Sequence, residues 1–394
     1  MKRFFKFQEV GKTVEPKTTR RGLAGVLAGT VLALTAGFAP MAQAEADYSG
    51  ERIRIIVPYS AGGGTDTLTR ALVPFMEKHL PGNPNIQVVN RPGAGGMIGA
   101  NHFEENARKD GTWVMAMSLS AVMNFLLRDP RAEFDMQEWE HIMVLPRGDM
   151  NYARSELGLE GLNPTELVEK LRSIPEDELV FGGMTPADAG LKQRLALSLL
   201  GVETKDVFGM DGAGPTAQAF ERGEFTINFE NSMAYLNQRE NFRDSGIATE
   251  LWTHGAPDAD GNWKDADGNW HRDPTWPDVP TYYEVYEEGA DGSFDSPAGQ
   301  ATLALLNVGV LLNKSFHLPK DADESAKEAW WQAMRDIMED PEFVELRSEI
   351  LGEYTATIGP AAKAAVDDAL EIPSEARAFI REFARERYDL ELNL

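Results

Sequence analysis

The feature that most constrains the fold is the segment 54–66, RIIVPYSAGGGTD. Its first residues are apolar and β-branched, which predicts a buried strand. Three glycines at 62–64 then allow a sharp turn and a close approach of the backbone to a ligand. Apolar side chains recur at helical spacing from 65 to 80. A strand that runs through a glycine loop into a helix presents the free N–H groups of the helix N-terminus, so a small anion is the first ligand to consider.

The same design returns about 120 residues later. Residues 179–181 predict a short strand, 182–186 a glycine loop, and 187–200 a helix. Two such units suit a two-lobed protein in which each lobe aims one helix N-terminus at a ligand between them. A cleft of this kind can hold a carboxylate through backbone N–H groups and hydroxyls, without a lysine or arginine. Hinge closure around the ligand would be the functional motion.

The first 44 residues have the composition of an export signal. Seven Lys and Arg residues come early, an apolar stretch follows at 22–40, and Ala42-Gln43-Ala44 fits a cleavage site that leaves Glu45 first. The pair Arg20-Arg21 is compatible with twin-arginine export, and Sec export is the alternative. The stretch is short and glycine-rich for a membrane anchor. We therefore expect a signal peptide at 1–44 and a periplasmic mature protein.

Composition argues against several functions. The net charge is −25, and about −30 without the basic signal, which disfavours nucleic acid and anionic membranes as partners. There is no cysteine, hence no disulfide and no thiol nucleophile. The six histidines lack metal-binding spacing, and no Lys-Ser/Thr follows the first glycine loop to make it a P-loop. We therefore expect no cofactor, no metal and no catalytic residue.

Strand and helix patterns alternate through the remaining 350 residues, which favours an α/β protein of two domains. We predict that 45–150 and 253–394 form lobe 1 and that 151–252 form lobe 2. The apolar run 303–312 is interpreted as one further strand.

One segment has the character of an insertion. The unit DADGNW at 258–263 recurs at 265–270 after a single lysine. Its Asp-Gly and Gly-Asn pairs favour tight turns, and the two tryptophans could pair across a hairpin. The alternative is a calcium loop, but the third acidic position and the closing Glu are missing. The hairpin is therefore the favoured interpretation.

Several motifs resemble those of one receptor family. Two are specific: IRIIVPYSAGGGTD at 53–66 and VVNRPGAGGMIGA at 88–100. Weaker matches are DGTWVMAMS at 110–118, GAGP at 212–215, FEN at 229–231 and WPDVPTYYE at 276–284. Together they resemble the periplasmic substrate-binding receptors of tripartite tricarboxylate transporters, over most of the chain after the signal.

This resemblance implies a two-lobed α/β fold of the type II periplasmic-binding-protein (Venus-flytrap) class. It implies capture of a small organic carboxylate and its delivery to an ion-driven, ATP-independent membrane transporter with one large and one small subunit. We expect a monomer. A periplasmic enzyme on the same fold is an alternative, against which the absence of a nucleophile, metal site or cofactor motif counts. A sensor that feeds a signalling kinase is another alternative. Neighbouring genes for the two membrane subunits would distinguish a transport receptor from such a sensor.

The resemblance also implies the site. In the family the first loop binds a ligand carboxylate through backbone amides and ordered waters, which carries over to Tyr59, Ser60, Ala61, Gly62, Gly63, Thr65 and Asp66. Asp66 is expected to cap its helix and organise the loop. The predicted residues of the second lobe are Gly183, Met184, Thr185, Pro186, Ala213 and Asn231. The family's second loop usually carries Gly-Ser-x-Gly and a nearby His. Here the His is missing and Asp188 is new, so the ligand's identity stays open.

Overall fold

The chain folds around two β-sheets flanked by helices. The computed structural model describes residues 45–258 and 262–394, and the predicted signal peptide at 1–44 lies outside them. The strands of the described part, in chain order, are β1 (Arg52–Val57), β2 (Asn85–Asn90), β3 (Trp113–Ser118), β4 (Glu140–Leu145), β5 (Asp149–Arg154), β6 (Val180–Gly182), β7 (Lys205–Val207), β8 (Ile227–Asn231), β9 (Ala248–Thr253), β10 (Lys314–Leu318) and β11 (Thr357–Ile358).

The α-helices of the same part are α1 (Gly64–His79), α2 (Met97–Asn106), α3 (Leu119–Leu126), α4 (Pro164–Ser173), α5 (Leu191–Leu199), α6 (Ala213–Glu221), α7 (Ser232–Arg239), α8 (Tyr282–Gly289), α9 (Pro297–Leu311), α10 (Glu324–Glu339), α11 (Pro341–Ile350), α12 (Pro360–Ala369) and α13 (Ser374–Tyr388). Among these helices, none combines the length and the apolar character that a membrane span would need.

The first sheet has the strand order β11-β4-β10-β3-β1-β2, and the second has the order β7-β6-β8-β5-β9. β1 runs parallel to β2 and β3, whereas β10 is antiparallel between β3 and β4. The chain passes from the first sheet to the second at residues 146–148 and rejoins the first at β10. The predicted α/β fold of two lobes is confirmed. The lobe boundaries at 150 and 252 stay a prediction.

Apolar side chains bury the faces of each sheet. Ile53, Ile55 and Val57 of β1 pack in one cluster with Met76 of α1 and Trp330 of α10. A separate cluster of the second sheet includes Phe181 of β6, Trp252 of β9 and Tyr282 of α8. The alternation of buried residues along β1 is the pattern that predicts a strand, and its last three residues are buried on both faces.

One predicted strand is wrong. Residues 303–312 lie mostly in α9, which begins at Pro297 and ends at Leu311. Ser296 caps this helix, because its hydroxyl accepts a hydrogen bond from the Gly299 N–H at 3.0 Å. An apolar run of this length fits a buried helix as well as a strand. Ser296 as N-cap and Pro297 in the first turn, just before the apolar run, indicate a helix.

Residues 263–270 of the repeated insertion form a short turn against α8. Lys264 and Trp270 make an isolated antiparallel bridge, and the Asn269 N–H donates to Asp265 Oδ1 at 2.9 Å. The indole ring of Trp270 stacks on Tyr283 with centroids 4.3 Å apart, and Trp263 meets the same ring edge-on at 6.0 Å. The tryptophans are therefore anchored on α8, which differs from the expected cross-hairpin pair.

Candidate ligand-binding cleft

The first glycine loop connects β1 to α1 and is held by one carboxylate. Gly62 has φ of 79°, a left-handed conformation that favours glycine. Asp66 accepts a hydrogen bond from the Gly62 N–H at 2.8 Å and pairs with Arg70 at 2.9 Å. Gly63, the N-cap of α1, makes no side-chain cap, so the first N–H groups of the helix stay available to a ligand. The side-chain carboxylate of Asp66 thus holds the loop in shape by binding one of the loop's backbone N–H groups.

The second glycine loop, between β6 and α5, uses the same device. The Asp188 carboxylate accepts from the Met184 N–H at 2.6 Å and the Gly190 N–H at 2.8 Å, and it pairs with Arg194 at 3.0 Å. In both loops the aspartate lies four residues after the residue whose N–H donates to it: Asp66 after Gly62 and Asp188 after Met184. The side chains of Asp188 and Arg194 are 3% and 0% exposed. The residue that departs from the family pattern is therefore part of the loop's framework.

Two more helix starts face the first loop from the second sheet. α6 begins after Gly212, which makes no side-chain cap. α7 begins after Asn231, whose Oδ1 accepts from the Ala234 N–H at 3.1 Å. The Nδ2 of the same side chain lies only 3.3 Å from the position that a Cβ on Gly64 would occupy. Asn231, which the sequence left open between a turn residue and a cleft donor, therefore caps a helix and points its amide nitrogen at the first loop.

The cleft between these loops encloses about 90 Å³, which is room for a small molecule. The predicted binding residues that line it are Tyr59, Ser60, Gly63, Thr65, Gly183, Met184, Ala213 and Asn231. Five others lie in the same loops but outside the lining: Ala61, Gly62, Asp66, Thr185 and Pro186.

Hydrogen bonds connect the loops around the cleft. Ser60 Oγ donates to the carbonyl oxygen of Asp211 at 3.2 Å. The Thr185 hydroxyl donates to Asn124 Oδ1 at 3.4 Å. Asn124 Nδ2 donates in turn to the Gly95 carbonyl oxygen at 3.3 Å. The second glycine loop is thus linked through Asn124 to the second family motif.

Several polar residues of the lining were missed from the sequence. Ser118 and Ser120 stand at the end of β3 and the start of α3, and Asn313 and Lys314 stand at the start of β10. The serines could have been found, because the carboxyl ends of the parallel strands β1 and β3 meet at one sheet edge. Lys314 offered no such signal, since the antiparallel insertion of β10 depends on pairing between residues almost 200 positions apart.

A buried ion pair lies against the cleft wall. Asp149 is 2.6 Å from Lys192 Nζ and 3.2 Å from His254 Nδ1. The Lys192 ammonium also lies over the ring of Phe229, 4.3 Å from its centroid. Burial alone would raise the pKa of Asp149, but Lys192 and His254 lower it below its ordinary value. The Asp149 carboxylate is therefore ionised and already compensated by its own neighbours.

Glu230 lies in the cleft wall with two neutral hydrogen-bond donors. Gln238 Nε2 donates to its Oε1 at 2.9 Å, and the Tyr152 hydroxyl donates to its Oε2 at 3.3 Å. The residue is only 3% exposed. Burial raises the pKa of Glu230 to about 7. The carboxyl group therefore titrates near neutral pH.

This raised pKa predicts a pH-dependent effect of Glu230→Gln. Above the ordinary pKa of a glutamate, the unfolded chain loses the Glu230 proton while the folded protein keeps it. The contribution of protonated Glu230 to the free energy of unfolding is therefore complete below that ordinary pKa and is lost as pH rises through about 7. The substitution should raise the free energy of unfolding by about 2 kcal/mol more at pH 8 than at pH 5.5. Urea unfolding of both proteins at the two pH values measures this. An equal difference at both would show that Glu230 has an ordinary pKa.

Comparisons with known sequences find two relatives of substantial coverage. No protein-family model matches the chain. BugT of Bordetella pertussis is 37% identical over 208 residues, which cover 51% of this chain and 61% of BugT, less than two thirds of that relative. A UPF0065 protein of Agrobacterium vitis is 24% identical over 338 residues, or 85% of each chain.

Solved structures share the fold. The periplasmic binding protein BugD matches with a TM-score of 0.59 and 20% identity, over 86% of this chain and 98% of its own. MatC of Rhodopseudomonas palustris with bound malate has a TM-score of 0.59 and 19% identity, over 84% and 99%. Rpa4515 of R. palustris with adipate has a TM-score of 0.57 and 16% identity, over 85% and 96%.

The two sheets and the cleft between glycine loops define a two-lobed α/β fold, which the chain shares with the solved structures of BugD and MatC. The relatives BugT and the UPF0065 protein agree with the resemblance that the motifs indicate. BugD is described as a periplasmic binding protein, which agrees with the prediction of a binding protein rather than an enzyme.

Proposed function

We propose that this receptor captures a small organic carboxylate in the cleft and delivers it to a membrane transporter with one large and one small subunit, driven by ions and without ATP. The receptor acts as a monomer in the periplasm after its signal peptide is cleaved behind Ala44. The carboxylate is held chiefly by backbone N–H groups of the first loop.

The observation that carries this proposal is the convergence of uncapped helix N-termini on a small cavity. α1 and α6 begin directly after Gly63 and Gly212, neither of which makes a side-chain cap, and both glycines line the cleft. The unpaired N–H groups and the positive end of each helix dipole favour an anion there. A negative ligand therefore finds local donors even though the protein as a whole is acidic.

The relatives support the class of ligand and the compartment. MatC was solved with malate and Rpa4515 with adipate, both of which are dicarboxylates. BugD is a periplasmic binding protein. These properties belong to those proteins, and the shared fold makes the same properties the best proposal for this chain.

A thermal-shift panel tests the proposal. Succinate, malate, adipate and benzoate are compared with neutral and cationic compounds of similar size. At least one carboxylate should raise the melting temperature by several degrees, because a ligand that binds only the folded state stabilises it. If only neutral or cationic compounds do so, the proposed function is wrong.

A further inference from the structure

The floor of the cleft carries a buried lysine. Lys314 is the first residue of β10, and its backbone pairs with Ser118 of β3 and Leu145 of β4. Its ammonium donates to Ser118 Oγ at 2.9 Å. The residue is 4% exposed, yet it lines the cleft together with Asn313. A group able to carry positive charge is therefore built into the site.

Within residues 45–258 and 262–394, this ammonium has one hydrogen-bond acceptor and no carboxylate partner. Arg147 is similar: its guanidinium donates to Asn231 Oδ1 at 3.4 Å and to the Ile350 carbonyl oxygen at 2.7 Å. The nearby carboxylate of Asp149 is engaged by Lys192 and His254. Lys314 and Arg147 are thus two buried basic groups that pair with no carboxylate of the described residues.

A cation in such a position is costly, because a buried charge without a paired counter-charge has lost its hydration. Burial lowers the pKa of Lys314 to about 7 and that of Arg147 to about 10. The chain has 63 Asp and Glu residues, and none of those in the described part pairs with either group. An anion supplied from outside would compensate the charge.

The surroundings of Lys314 suit an anion. Ser118 is the N-cap of α3, but its hydroxyl makes no cap hydrogen bond and accepts from Lys314 instead. Ser120, in the first turn of α3, also lines the cleft. The N-terminal dipole of α3 adds to the positive field at the same place. The lysine, the two hydroxyls and the N-terminus of α3 therefore all favour an anionic group of the ligand.

We propose that Lys314, positioned by Ser118, ion-pairs with a carboxylate of the ligand, while the first loop holds a second carboxylate through its amides. The inference rests on the proposed function and deepens it. It makes the ligand a short dicarboxylate and Lys314 the side chain that distinguishes it from a monocarboxylate. It also revises the expectation that this cleft works without a lysine.

Lys314→Met tests the role of the charge with matched ligands. Calorimetry compares succinate with butyrate and adipate with hexanoate, pairs that differ by one carboxylate. Wild type should prefer the dicarboxylate, and the variant should bind it at least tenfold more weakly while its affinity for the monocarboxylate changes little. Lys320→Met is the control, because Lys320 is an exposed lysine paired with Glu138 outside the cleft. Unchanged dicarboxylate affinity in Lys314→Met would overturn the inference and leave the proposed function standing.

Stability without ligand separates binding from a structural role. Loss of an uncompensated buried charge should leave the melting temperature of Lys314→Met equal to or above that of wild type, whereas removal of a structural lysine would lower it. If the variant does not fold, Lys314→Gln, which can still donate to Ser118, replaces it.

Inorganic sulfate is the probe if no carboxylate binds wild type, an outcome that would contradict the proposed function alone. Sulfate should then raise the melting temperature of wild type more than that of the lysine variant. Equal rises would overturn the inference.

Discussion

Gly63→Leu is expected to weaken carboxylate binding at least 100-fold while the protein still folds. Gly63 lines the cleft, and the nearest atom to a Cβ built on it is the Ser60 carbonyl oxygen at 3.3 Å. Its φ is −75°, a value open to any residue, so the backbone is not strained by the change. The added side chain must enter a cavity of about 90 Å³ and take the place of the ligand. Steric exclusion of this kind acts on binding and leaves the core untouched.

Calorimetry with a carboxylate found in the thermal-shift panel measures this loss. Ala61→Leu is the matched control, because Ala61 is exposed in the same loop but lies outside the cleft lining. Gly63→Ala should have an intermediate effect. If Gly63→Leu keeps wild-type affinity, the first loop is not part of the binding site.

Asp188→Ala is expected to lower the free energy of unfolding by about 3–5 kcal/mol, because it leaves the buried guanidinium of Arg194 without its ion-pair partner. Arg194 is 0% exposed and Asp188 is its ion-pair partner. The same change removes the acceptor for the Met184 and Gly190 N–H groups, so the second loop should lose its shape and the cleft its affinity.

Asp66→Ala is the comparison, since Asp66 braces the first loop in the same way. Its partner Arg70 is 51% exposed and can be hydrated, so the loss should be only about 1–2 kcal/mol. Urea unfolding of the two variants measures the difference. Equal losses would show that burial of Arg194 does not decide the effect.

The loops were predictable because local chemistry determines them. Glycines beside a β-branched strand and an amphipathic helix leave few other structures, and β1 with α1 formed as expected. The helix at α9 was misread because an apolar run alone does not distinguish a buried helix from a strand, although Ser296 and Pro297 carried the signal.

The cations around the cleft could not be predicted by the same route. Lys192 and Arg194 occur in an ordinary-looking helix, and Lys314 precedes an ordinary-looking strand. Their burial and their partners depend on long-range packing: Lys192 meets Asp149, and Lys314 meets Ser118, almost 200 residues away. The spacing of apolar residues in a segment predicts whether it is a helix or a strand. Which charged residues meet in a cleft depends instead on the pairing of strands that are distant in the sequence.

The central claim is that this cleft binds a small organic carboxylate, and calorimetric titration of the purified protein tests it most directly. Bound ligand is first removed by unfolding and refolding, and succinate, malate and adipate are then titrated at neutral pH. We predict saturable binding of at least one of them, with one site per chain and a dissociation constant in the micromolar range or below. Absence of saturable binding for every carboxylate, with binding of a neutral or cationic compound instead, would contradict it.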